Sequence, residues 1–149
     1  MTTRTRHLDP QVRRALQAAG AAAKRGLDDP VLAELVMIRA SQINACAFCL
    51  DMHVAVAVEK NGESVERIAL LGAWREADGL YSERERAALA LTEAMTILTD
   101  EAVPDEVHAA AAGHFDDVRL AHLIGVITVI NSWNRLMVAR RIEPGGPAW

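Results

Sequence analysis

Nowhere along this chain do apolar and polar residues alternate long enough to make a strand, whereas helix start and stop signals recur throughout. Asp9-Pro10 opens a first helix that should run to about Lys24 and end at Gly26. Asp29-Pro30 opens a second, PVLAELVMIRASQIN. A break near Asn44 leads into a third, from about Cys46 to Lys60, stopped by Asn61-Gly62. Ser64 caps a short fourth, VERIALLG, and the connector AWREADGLY follows. Ser82 and Glu85 form a capping box for a fifth helix to about Leu98. VPDEVHAAAAGHF makes a sixth, and a long apolar stretch from Asp116 to Arg140 makes a seventh, terminated by EPGGP.

Two of these segments have patterns that bear on function. RLAHLIGVITVINSWNRLMVA has too few polar positions for a surface helix of a monomer. It is either the central helix of a bundle or is also shared with a second subunit, so a homo-oligomer is expected. On the second helix Val31, Leu35 and Ile38 form an apolar stripe, and Glu34 sits at its edge, about 40° from Ile38. The opposite side carries Val36 and Ala40, so little of this helix is wet. A carboxylate there should be desolvated, which would raise its pKa and suit proton transfer. The structural alternative is a glutamate paired with an arginine such as Arg39 or Arg75.

Composition sharpens this all-α reading. Alanine is abundant, 51% of residues are hydrophobic and 4% aromatic, and 149 residues suit a single domain, 1–149, of about six or seven helices. The net charge of -4 argues against a nucleic-acid binder. The two arginines of TTRTRH read as a frayed, solvated end. Met1 is not followed by a signal-type apolar core, and the most apolar run, LIGVITVI, is far short of a membrane span. The expectation is a soluble cytoplasmic protein, where paired cysteines more often serve catalysis or metal binding than structural bridging.

The chain's two cysteines lie in ACAFCLDMH, residues 45–53. With Cys46 near a helix start, Cys49 lies about 60° and His53 about 20° from it, so both thiols and the imidazole share a face. The helix N-terminus supplies a positive dipole end and His53 can supply a base, the two requirements of a reactive thiolate. The dipole favours Cys46 as the thiolate and the i,i+4 histidine favours Cys49, a choice the residues leave open. A disulfide staple over two intervening residues would constrain little chain entropy. Zinc would find three ligands where a structural site needs four, and no second CxxC exists. His108, His114 and His122 read as surface or core histidines.

The pattern of Glu34, eleven residues, then CAFCLDMH resembles the AhpD-like alkylhydroperoxidase branch of the carboxymuconolactone decarboxylase superfamily. The flanks SQINACAFCLDMH, LLGAWREADGLYSERERAALALTEAMT and VINSWNRLMVARRIEPG agree, so the resemblance spans roughly Asp29 to Gly145. It implies an all-helical fold, a homo-oligomer (commonly a trimer or hexamer) and reduction of small peroxides, with no cofactor and no metal. It also implies roles: Cys49 attacks the peroxide, Cys46 resolves the sulfenic acid to a disulfide, and His53 and Glu34 relay protons. The reductant would be a lipoyl or thioredoxin-like dithiol carrier. One position departs: Phe48 stands where the best-known members carry a histidine directly before the second cysteine, so one relay member is missing.

Two other classes compete. A lactone-decarboxylating member of the superfamily does not need a CxxC. A non-enzymatic redox-responsive oligomer would report oxidation without turning over. Trp133, Asn134 and Arg135 are expected to serve packing and helix-end or interface bonding.

Overall fold

Most of the helices begin where a side chain takes up free backbone amides. The computed structural model describes residues 3–149, and Met1 and Thr2 lie outside that description. The Asp9 carboxylate accepts from the Gln11 and Val12 amides ahead of α1 (Pro10–Leu27). Asp29 accepts from Leu32 ahead of α2 (Pro30–Ile43). The Cys46 sulfur accepts from the Cys49 amide at the start of α3 (Ala47–Glu59). Ser64 caps α4 (Val65–Leu70), which tightens into a 3-10 turn, Leu71–Ala73. Ser82 and Glu85 make the expected capping box of α5 (Glu83–Thr96). α6 (Asp105–Ala112) starts after Pro104 without a side-chain cap, and Asp116 caps α7 (Asp117–Arg140). Among the described residues the fold is all-α, with no strand beyond a lone bridge between Thr99 and Ala102. None of these helices is long and apolar enough to cross a membrane.

Four sequence expectations need correction. α1 does not stop at Gly26 but runs to Leu27, where Asp28 takes the left-handed conformation (φ 54°). Gly26 serves close approach instead: a β-carbon there would collide with the His122 imidazole on α7. The sixth helix is shorter than the stretch read for it, and the fifth ends at Thr96 rather than Leu98. The N-terminal stretch is not frayed over its described part. Thr3–Arg6 forms a 3-10 turn, and Arg4 donates to the Ala139 carbonyl at 3.1 and 2.8 Å, tying the turn to the end of α7.

α2 is the hub, packed against α1, α3, α5 and α7. From Leu32 to Ser41 every residue except Arg39 is buried, as its dry pattern demanded. α7 lies along α1 and α2 and buries Leu120, Leu123, Ile127, Ile130, Asn134 and Met137, a stripe of alternating three- and four-residue steps. Its outer side is open in the single chain, with Ala121, Thr128 and Arg135 exposed along it.

α2 ends in a turn that aims α3. Asn44 closes the helix, Ala45 is left-handed (φ 51°), the Ala45 amide donates to Gln42 and the Cys46 amide to Ser41. This is a Schellman ending, with alanine where glycine is usual. The NSWN segment of α7, residues 131–134, holds it. Asn44 Nδ2 donates to both Asn131 Oδ1 and Asn134 Oδ1 at 2.9 Å, and Asn134 Nδ2 donates to Ser41 Oγ at 2.9 Å. Asn134 is thus a buried clamp on the turn that precedes Cys46, a more particular role than helix-end bonding.

Candidate active site

The two cysteines sit where α3 begins. Cys46 is the N-cap residue, extended (φ -90°), and Cys49 lies in the first turn. Their Cα atoms are 5.4 Å apart and the sulfurs are joined as a disulfide. Both residues are 1% exposed, packed with Phe48, Met137, Ile142 and Ala148. The helix-start position places Cys49 in the positive end of the α3 dipole.

One turn further on, His53 Nδ1 lies 2.7 Å from Glu34 Oε2. The other carboxylate oxygen, Oε1, accepts from Lys24 Nζ at 2.7 Å. Glu34 is therefore bridged between α1 and α3, with its side chain 2% exposed, against 10% for His53 and 41% for Lys24. An ionised carboxylate only accepts, so Nδ1 of His53 carries the shared hydrogen and Nε2 is the nitrogen left to exchange protons.

The expectation that burial would leave Glu34 with a raised pKa is overturned. Burial does push it up, but the hydrogen bonds and charges of His53 and Lys24 outweigh that and hold the carboxyl below the ordinary glutamate value. The arginine pairing considered for Glu34 is not made either: Arg39 and Arg75 both bind Glu93.

Cys49 and His53 open onto a cavity of about 210 Å³. Its walls are largely apolar: Met37 of α2, Phe48 and Met52 of α3, and Val126, Val129, Ile130, Trp133 and Met137 of α7. α1 closes one side with Leu16, Gln17, Gly20, Ala21 and Lys24. Trp149 of the C-terminal tail completes it, its ring centroid 6.0 Å from that of Trp133 and with Arg13 stacked over it at 5.6 Å. Cys46 is not part of the lining; it lies behind Cys49. The structure thus brings His53 and Cys49 to one cavity, with Glu34 outside the lining but bonded to His53 and Lys24, and Cys46 reaches it only through its bond to Cys49.

Sequence reasoning missed Lys24, Trp149 and the lining role of Trp133. The first two lie outside the stretch that carried the motif. Among the described residues no three of His, Cys, Asp and Glu converge as metal ligands would. His108 and His114 are exposed, and His122 packs against Gly26.

Residues 10–94 match the model of the Carboxymuconolactone decarboxylase family. The uncharacterized protein YdfG of Bacillus subtilis (strain 168) is 46% identical over 106 residues, 71% of this chain and 71% of its own. The uncharacterized protein YnjA of Escherichia coli (strain K12) is 33% identical over 123 residues, 83% of this chain and 66% of its own. A solved structure from Agrobacterium tumefaciens superposes with a TM-score of 0.84 at 33% identity, covering 91% of this chain and 92% of that one. It is of a protein of unknown function for which the name antioxidant defence protein AhpD has been suggested.

Proposed function

The chain belongs to the carboxymuconolactone decarboxylase family, in its AhpD-like branch, and from that premise we propose that it is a CxxC-dependent thiol peroxidase. The observation that carries this is the asymmetry of the cysteine pair: Cys49 faces the cavity beside His53, and Cys46 stands behind it.

In the reduced protein the Cys49 thiolate attacks the terminal oxygen of a hydroperoxide. The O–O bond breaks, an S–O bond forms, and the alkoxide leaves with a proton delivered by the Glu34–His53 pair. Cys49 is now a sulfenic acid. The Cys46 thiol gives up its proton, attacks the Cys49 sulfur and expels water, closing the disulfide. An external dithiol then returns two electrons and two protons and is itself oxidised to a disulfide.

Of the two carriers expected, a lipoyl arm fits better than a thioredoxin-like protein. Both cysteines are 1% exposed and Cys49 is approached through the cavity, which suits a slender dithiol more than a flat protein face. A cytoplasmic setting, where such carriers are kept reduced, goes with this reading. So does a homo-oligomer, a trimer or hexamer, using the outer side of α7 with its exposed Ala121, Thr128 and Arg135; a monomer by light scattering at micromolar concentration contradicts that part.

The test is peroxide consumption with a panel of dithiol reductants, on wild type and on Cys49→Ser. Steady turnover in wild type and none in Cys49→Ser is the expected result. Decarboxylation of a lactone that survives Cys49→Ser but not His53→Gln would assign the chain to the other chemistry of its family.

A further inference from the structure

The geometry points to Lys24 as a positioning residue of this site, one that sets the charge Glu34 and His53 present to Cys49. The inference builds on the thiol chemistry proposed above.

Lys24 stands in the last turn of α1, ten residues before Glu34 and across the Asp28–Asp29 corner. It is brought inward by the close packing of α1 on α7, where a β-carbon at Gly125 would come within 3.2 Å of Ala23 and one at Gly26 would collide with His122. A lysine with 41% of its side chain exposed could keep its ammonium in water, where an ion pair is worth little. Instead Nζ sits 2.7 Å from a carboxylate that is 2% exposed, and the side chain lines the same cavity as Cys49 and His53.

Charge counting gives the consequence. With His53 neutral, Lys24 and Glu34 sum to zero; without Lys24 the group beside Cys49 carries one net negative charge. With His53 protonated, the sums are plus one and zero. Either way Lys24 adds one positive charge to the surroundings of the Cys49 sulfur and makes its thiolate less costly. Little else opposes or duplicates this. Cys49, His53 and Lys24 are the ionisable groups of the lining, and the walls from α2, α7 and the tail are Met, Val, Ile and Trp. Arg140 touches the Met137 sulfur from behind, but its donors go to the Thr5 and Ala148 carbonyls. Arg13 lies over the ring of Trp149, and Asp51 of α3 accepts from the Gly145 amide.

The experiment uses Cys46→Ser as background, which leaves Cys49 as the chain's one thiol. The rate of iodoacetamide alkylation is followed against pH with Lys24 intact and as Lys24→Gln, Lys24→Met and Lys24→Arg, each checked by thermal melting. Loss of the charge should move the midpoint up by about one pH unit, making alkylation about tenfold slower below it. Lys24→Met should match Lys24→Gln, and Lys24→Arg should return the profile to within about twofold of the parent. An unmoved midpoint in folded Lys24→Gln overturns the assignment, as does an arginine variant that behaves like the glutamine one. Alkylation consumes no peroxide, so the two readings fail separately. A shift without peroxide turnover keeps Lys24 and removes the peroxidase; turnover without a shift does the reverse.

Discussion

Two glutamates, Glu34 buried on α2 and Glu93 half-buried on α5, have the same chemistry and different partners. Glu93 Oε1 accepts from Arg39 Nε at 2.8 Å and from the Trp74 indole at 2.9 Å, and its other oxygen pairs with Arg75. Glu34 is held by a histidine and a lysine. Burial pushes both carboxyls up, and in both the partners win and bring the pKa below the ordinary value. The difference lies in what the partners can do next. Held by two guanidiniums and an indole, Glu93 is a fixed counter-ion joining α2, α5 and the Leu71–Ala73 corner. Glu34 instead shares a hydrogen with an imidazole, the kind of group used for proton transfer, and His53 stands at the wall of a cavity that also holds a thiol. Depressed acidity alone therefore does not distinguish a clamp from a relay; the identity of the partner and its access to a cavity do.

The largest expected effect separates the two on rate. Glu34→Gln should slow the reaction of reduced Cys49 with peroxide about a hundredfold or more, the usual worth of acid–base assistance. Glu93→Gln should leave it within about twofold. Stopped-flow measurement on folded variants decides this, and equal losses in both would erase the distinction. On stability the order reverses. Glu93→Gln leaves the mostly covered guanidinium of Arg39 without its carboxylate, while the exposed Arg75 can turn to water, and should cost about 2 kcal/mol in urea melts. Glu34→Gln should cost about half that, because Lys24 is partly exposed and can turn to water. The smallest effect is on acid sensitivity. A carboxylate whose folded pKa lies below its unfolded value adds stability that is complete above the ordinary value of 4.5 and is lost as pH falls through the folded one. Wild-type melting temperature should therefore decline below about pH 4.5, and each glutamine variant should show a shallower decline. A decline as steep in both variants as in wild type would mean that other carboxylates carry the acid limb.

Much of this arrangement could be read from local spacing. The Asp-Pro helix starts and the Ser82–Glu85 box satisfy amides within a few residues, so the elements they open were legible. Cys49 and His53 share a helix face because four residues make about one turn, and Glu34 was marked by the dryness of its helix. The errors came from contacts between distant elements. Desolvation of Glu34 was legible, but Lys24 and His53, which reverse its effect, arrive from two other helices. Arg39 was offered as its partner, yet five residues on is about 140° round the helix, on the side that faces α5 and Glu93. Gly26 looked like a stop because the approach of His122 cannot be seen from α1 alone. Trp149 lies in a tail with no periodicity to place it against the cavity.

The asymmetry of the cysteine pair is the centre of the account, and trapping of sulfenic acid tests it most directly. Cys46→Ser and Cys49→Ser, both reduced, are exposed to one equivalent of peroxide with dimedone present and then mapped by mass spectrometry. The account predicts rapid labelling of Cys49 in the first variant and little of Cys46 in the second, because Cys49 faces the cavity and Cys46 lies behind it. Labelling of Cys46 as fast as or faster than Cys49 would contradict it.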